Sequence, residues 1–310
     1  MTPDNIPPRS PLVPPRLPLA PPLPLPAPPS MRSSPTRLGA AAKHLPAPTR
    51  LPHTLRTITH PRCPTLHSAR ITHICSPTAH LRKLTLEPTS TGTTVNYAAG
   101  QWVDLHIPTL AQPGGFTLIS VPLSQELQLS VRRAPGNPAA EWVFSGATVG
   151  SPVHVRVGGS FVFPPPARPP HPLRPADVRR VVMCAGGVGI NPFLAMVGWI
   201  AAARTGSGSG WPAVDVKVLW SARPGEWAYL DRFDHSFVEL RRFETAGNGS
   251  GPHTGRIALQ DLNESVRDGG MSPDEVLVYV CGPKGFERFC IDGFVAIGVD
   301  KERVLFEQWW

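Results

Sequence analysis

Two short runs hold residues whose types and spacing could grip a charged ligand. The first covers residues 181–192, Val-Val-Met-Cys-Ala-Gly-Gly-Val-Gly-Ile-Asn-Pro. A β-branched run leads into three glycines, and Pro192 opens a helical pattern through Phe193, Leu194, Met196, Val197 and Ile200. Strand, glycine turn, helix is a recipe for holding phosphate. Glycine lets the backbone bend and approach a ligand, and a helix start offers N–H groups and a positive dipole end. Proline costs nothing in a first turn. The spacing is not the G-x-G-x-x-G of a dehydrogenase fingerprint, so a plain tight strand–helix turn is the alternative. Residues 181–203 lack charge and could span a bilayer by length, but three glycines and an Asn-Pro would break such a helix, so no membrane span is expected.

The second run, residues 276–283, reads Val-Leu-Val-Tyr-Val-Cys-Gly-Pro and is followed by Lys284-Gly285-Phe286. It is another buried strand ending in a turn, then a helix. Gly-Gly-Val-Gly-x-x-Pro paired with a downstream Val-Cys-Gly-Pro resembles the ferredoxin–NADP reductase family of flavoproteins. The C-terminal Phe306-Glu307-Gln308-Trp309-Trp310 resembles the Glu-x-aromatic ending of the same family. The resemblance runs from about residue 70 to the C-terminus.

This resemblance implies a six-stranded antiparallel flavin-binding barrel followed by a doubly wound parallel-sheet NAD(P)-binding domain. It implies hydride transfer from NADPH or NADH to FAD, where the cofactors carry the chemistry and the protein positions them. Gly186, Gly187, Val188 and Gly189 would cradle the dinucleotide, with Gly282 and Pro283 beside them. Ser221 and Arg223, in Trp-Ser-Ala-Arg, match a family Ser-x-Arg that meets the adenosine ribose or its 2′-phosphate. Cys281 would lie by the nicotinamide ring. Phe116, Leu118 and Ser120 would contact the flavin, with the Thr117 hydroxyl near its reaction centre and Trp309 over its other face. The family places an arginine on the flavin phosphates where this chain has Gly114. A family serine is likewise absent from Gly136-Asn137-Pro138-Ala139-Ala140. Arg132 or Arg133 could replace the lost charge, or could be an ordinary strand-end arginine. The expected FAD is therefore weakly held, and loss of the flavin with retention of a nucleotide-binding or scaffold role is the rival reading.

These residues need elements to position them. Apolar or alternating runs at 81–86, 102–107, 116–121, 127–131 and 153–157, with turn residues between them, predict a small antiparallel barrel. Gly100-Gln101-Trp102-Val103 matches the family's opening strand. A proline-rich connector covers 164–178. Beyond it, strands at 181–185, 214–220, 237–243, 276–281 and 303–307 alternate with helices at 191–203, 226–235, 258–267 and 285–297. That alternation predicts a parallel sheet with ligand at the carboxyl ends of its strands.

The 310 residues suffice for two modest domains. A net charge of +8 raises nucleic-acid binding as a possibility, yet residues 1–86 hold eleven Lys/Arg and one acid, leaving −2 for the rest. The basicity belongs to the leader, and no nucleic-acid partner is expected. Residues 1–65 contain nineteen of the 40 prolines and predict an unpacked leader ending near residue 69. From Met31 it is rich in Arg, Ser, Thr and Ala without acids, the composition of a mitochondrial transit peptide; an incidental low-complexity tail, in a cytoplasmic protein, is the alternative. The five cysteines show no C-x-x-C and no iron–sulfur spacing, so no metal is expected and the electron acceptor is a separate protein or small molecule.

Overall fold

The computed structural model describes residues 51–90, 92, 94–122, 124, 126–167, 173–206, 210–245 and 255–308. The chain divides into Met1–Thr49 and Arg50–Trp310. The first unit, most of the expected leader, lies outside the described residues, as do Trp309 and the glycine-rich stretch 247–251.

The first half is a six-stranded antiparallel sheet. In chain order it comprises α1 (His53–Arg56), β1 (His67–Thr78), β2 (Leu81–Pro88), β3 (Trp102–His106), β4 (Gly114–Thr117), β5 (Leu127–Arg132), α2 (Pro138–Ser145) and β6 (Pro152–Gly158). The strand order is β4-β3-β6-β1-β2-β5. The outer strands meet through a Leu118–Leu129 bridge and an Ile119 N–H bond to the Gln128 carbonyl (2.8 Å), closing the sheet into a barrel. Strand alternation sorts the side chains. Val103 and Leu105 of β3 enter the barrel core with Phe116, Leu118, Val155 and Val157. Trp102 and Asp104 face the other way, yet both are fully buried.

Their cover is a segment expected to be unpacked. His53 Nε2 lies 3.2 Å from Asp104, and the Arg62 guanidinium lies 2.9 Å from it. Arg62 also sits over the Trp102 ring. A side chain on Gly115 would overlap the His53 ring, so glycine there makes room for the segment. The boundary expected at residue 70 thus falls inside β1, and packed chain begins near residue 53. A lone buried carboxylate is costly, and its partners come from this segment and from Arg156. The strand expected over 116–121 is also corrected: β4 ends at Thr117, and Ser120 turns aside to accept the Gln128 N–H.

The second half holds β7 (Arg180–Gly186), α3 (Asn191–Thr205), β8 (Asp215–Ala222), β9 (Val238–Glu244), α4 (Leu259–Arg267), β10 (Val276–Gly282), α5 (Lys284–Ala296) and β11 (Val304–Gln308). All neighbours pair in parallel, in the order β11-β10-β7-β8-β9. The β10 residues and the first six of β7 are buried, as central parallel strands require. Helix α3 packs on one face; α4 and α5 pack on the other. This is the doubly wound arrangement, and its order reverses between β7 and β10, where open sheets bind ligands. The helix expected over 226–235 is absent. Tyr229 adopts a left-handed conformation (φ 59°), and only a short 3₁₀ turn, Leu230–Phe233, follows. Three side chains of this stretch reach to the barrel instead, and those contacts oppose a regular helix.

Candidate functional site

Strand β7 ends in a 3₁₀ turn, Gly187–Ile190, that runs directly into α3. The glycines there do different work. Gly189 lies against the Cys281 carbonyl of β10, which leaves no room for a side chain. Gly186 and Gly282 approach each other across β7 and β10, with a hypothetical Gly282 Cβ 3.2 Å from the Gly186 Cα. These are packing requirements. Gly187 is different: its φ is +57°, and the nearest atom to a Cβ there is Arg132 Nη1 at 3.9 Å. The backbone conformation asks for glycine, and the space above it is open. No side chain caps this turn.

The cleft above Gly187 is lined by His80, Arg132, Val188, Trp220, Glu226 and Tyr229 among others. Trp220 fixes the turn, its indole Nε1 donating to the Gly187 carbonyl (3.0 Å). Arg132, at the end of β5, pairs with Glu226 at 3.7 Å. Tyr229 donates to Ser130 Oγ (3.1 Å), the Asn191 amide donates to the Ser130 carbonyl (2.9 Å), and Arg232 donates to the Ile119 carbonyl (3.0 Å). Barrel and parallel sheet are thus joined around the glycine turn. Burial pushes the Tyr229 phenol up to about 12, against the opposing effect of its Ser130 bond, so it remains a donor at neutral pH.

Of the dinucleotide residues expected, Gly187 and Val188 line the cleft. Ser221 is buried beside Gly186 in the β7–β8 register, and Arg223 is exposed one residue beyond β8. Pro283 is the N-cap of α5. Cys281 has no exposed surface, and Thr117 retains only 3%. Both are thus buried here, and neither lines the cleft at Gly187. Arg132, a candidate for the flavin phosphates, faces the glycine turn instead.

The flavin residues are rearranged further. Phe116 is 8% exposed and packs inside the barrel with Ala139, Ala140 and Val143 of α2, so it offers no open stacking face. Leu118 is fully buried in the same core. Ser120 is held by Tyr97 and the Gln128 N–H. At the start of α2, the Asn137 side chain accepts from the Ala140 N–H (3.2 Å) and Glu141 Oε1 accepts from the Gly136 N–H (2.7 Å). Glu141 thus already occupies a backbone N–H of the run from which the family serine is absent. A Cβ on Gly114 would lie 2.5 Å from the Ala139 Cβ, so α2 also fills the place of the missing arginine. Glu141 and the filled space at Gly114 oppose the diphosphate of FAD. Gly187, with open space above it and Arg132 beside it, is the place left for a phosphate to approach the backbone.

Glu287 stands out from the structure and not from the motifs. It lies in the first turn of α5, is 8% exposed, and has an Oε2 without a hydrogen-bond partner among the described residues. Burial pushes its carboxyl up, partly countered by Lys284. The position, four residues beyond Cys-Gly-Pro's last member in a helix with a buried face, was the available signal.

No protein-family model matches the chain. Oxidoreductase NAD-binding domain-containing protein 1 of Bos taurus is 32% identical over 234 residues, 69% of this chain and 72% of its own length. The protein of that name from Xenopus tropicalis is 32% identical over 288 residues, 83% of this chain and 84% of its own. Among solved structures, a ferredoxin NADP+ reductase from Neisseria gonorrhoeae with bound FAD and NADP superposes with a TM-score of 0.62 at 17% identity, covering 79% of this chain and 99% of that one. Its likeness establishes the fold. At 32% identity over these spans the chain belongs to the family of oxidoreductase NAD-binding domain-containing protein 1, and its antiparallel barrel and β9-β8-β7-β10-β11 parallel sheet take the ferredoxin–NADP reductase fold.

Proposed function

We propose that this protein binds NAD(P)H over the Gly187 turn and acts as a reductase of the ferredoxin–NADP reductase class, passing electrons to a separate acceptor. The observation that carries the reading is Gly187 itself: a positive φ, open space above it and a guanidinium beside it. A diphosphate placed there meets glycine backbone, an uncapped helix start and the Arg132 charge. NAD(P)H supplies a hydride; the chain's own groups orient the coenzyme. Arg223, exposed one residue past β8, would by the resemblance meet the adenosine ribose or its 2′-phosphate, and a lone guanidinium favours NADPH.

FAD is the expected hydride acceptor of this class, and here it is held weakly. Glu141 and the closed space at Gly114 oppose its diphosphate. The acid-free, Arg- and Ser-rich stretch from Met31 supports a mitochondrial destination.

The test is oxidation of NADH and NADPH by the purified protein, with ferricyanide as acceptor, with and without added FAD. Oxidation that rises with added FAD supports the reading. The closure around α2 favours a second one, coenzyme binding without turnover. Binding with no oxidation at any FAD concentration would establish that alternative, and absence of binding would remove both.

A further inference from the structure

We infer that Glu226 is a resident anion that holds Arg132 while the cleft is empty and yields it to the diphosphate of the incoming coenzyme. The inference rests on the coenzyme reading above and deepens it by naming the residue that sets affinity.

Arg132 faces two ways. Its Nε lies 3.7 Å from Glu226 Oε1, and its Nη1 lies 3.9 Å from the position of a Gly187 Cβ. One guanidinium therefore touches a carboxylate on one side and the floor of the cleft on the other. The carboxylate is placed by its own loop, since Glu226 also accepts from the Arg223 N–H (3.5 Å). Both side chains line the same cleft.

A diphosphate entering here brings about two negative charges close to Glu226. With the Arg132–Glu226 pair intact, the carboxylate neutralises the cation that the ligand needs. The contact is a single one at 3.7 Å, with Arg132 41% exposed and free to turn while Glu226, 13% exposed, is held in its own loop. A guanidinium turned toward a diphosphate can form two parallel charge-assisted bonds, a better arrangement than a single contact at 3.7 Å. The exchange leaves the Tyr229–Ser130 and Arg232–Ile119 bonds in place, so barrel and sheet stay joined while the cation moves. Any ligand bearing this diphosphate must make the same exchange, whatever its sugar and base.

The test is a double-mutant cycle on the full chain, reading NADH and NADPH binding by quenching of tryptophan emission, with Trp220 bonded to the turn as reporter. Glu226→Gln keeps the volume and an acceptor for the Arg223 N–H. It should bind both coenzymes roughly two- to fivefold tighter. Arg132→Ala should bind about tenfold or more weakly. In the Arg132→Ala background, Glu226→Gln should give no comparable gain. Unchanged affinity in Glu226→Gln, with binding by the wild type, overturns this inference and leaves the coenzyme reading standing. An equal gain with and without Arg132 also overturns it, because simple repulsion then accounts for the effect. No binding by any of the four proteins removes the coenzyme reading, and this inference with it.

Discussion

The Cβ that Gly114 lacks would stand 2.5 Å from the Cβ of Ala139. This contact turns a missing arginine into a closed site: Ala139 of α2 occupies the space, and Phe116 packs in the same core. Wild-type protein should therefore purify with far less than one flavin per chain. Gly114→Arg should not restore flavin. It should overpack the barrel and lower stability by about 1–3 kcal/mol. Flavin absorbance and a denaturant titration check both halves; tightly bound, stoichiometric FAD in either protein would contradict them.

Asp104 is fully buried against His53, Arg62 and Arg156. Burial alone would push its carboxyl up, but the bonds from these three partners outweigh it and hold it well below the usual carboxylate range. A depressed folded-state value stabilises at pH above the unfolded value, near 4, and the benefit is lost as pH falls toward the folded value. Asp104→Asn should cost about 3 kcal/mol near neutral pH, because two guanidinium groups lose their counter-charge. A chain starting at residue 70 lacks His53 and Arg62 and should also be less stable than one starting at residue 51. Matched melts of the two chains check this.

Glu287 has the opposite sign. Its raised folded-state value means that stability is fully present below the unfolded value and is lost as pH rises through the folded one. Glu287→Gln should therefore raise Tm by roughly 2 °C at pH 8, with little change at pH 4. Equal melting shifts at both pH values would show that charge is not the cause.

Arg223 is exposed just past β8. If it reads a 2′-phosphate, Arg223→Ala should weaken NADPH by about tenfold and leave NADH nearly unchanged. Equal losses for both coenzymes would place the residue elsewhere in recognition.

Much of this was legible in the sequence, for physical reasons. The apolar runs at 181–185 and 276–281 announced central parallel strands because both their faces are buried, and the strand–helix alternation set the sheet. The glycine turn was legible from spacing, though not the division of labour within it. Gly189 and Gly282 serve packing, and Gly187 alone keeps open space. The docked segment from His53 was hidden by its prolines, because its anchors are long-range partners of Asp104 and not a local pattern. The expected helix at 226–235 failed for a similar reason. Its apolar spacing is real, but Tyr229 and Arg232 spend their side chains on the barrel. Arg132 is a candidate cation by its place after the β5 run, and only the fold shows that it faces Gly187.

The central claim is that the Gly187 turn receives a dinucleotide diphosphate. Gly187→Val tests it most directly, since a branched side chain would both occupy the open space and resist a φ of +57°. Calorimetric titration of wild type and variant with NADH and NADPH, with circular dichroism confirming that the variant is folded, gives the answer. The account predicts binding by the wild type and loss of at least about tenfold in affinity in the folded variant. Equal affinity in the two proteins would contradict it.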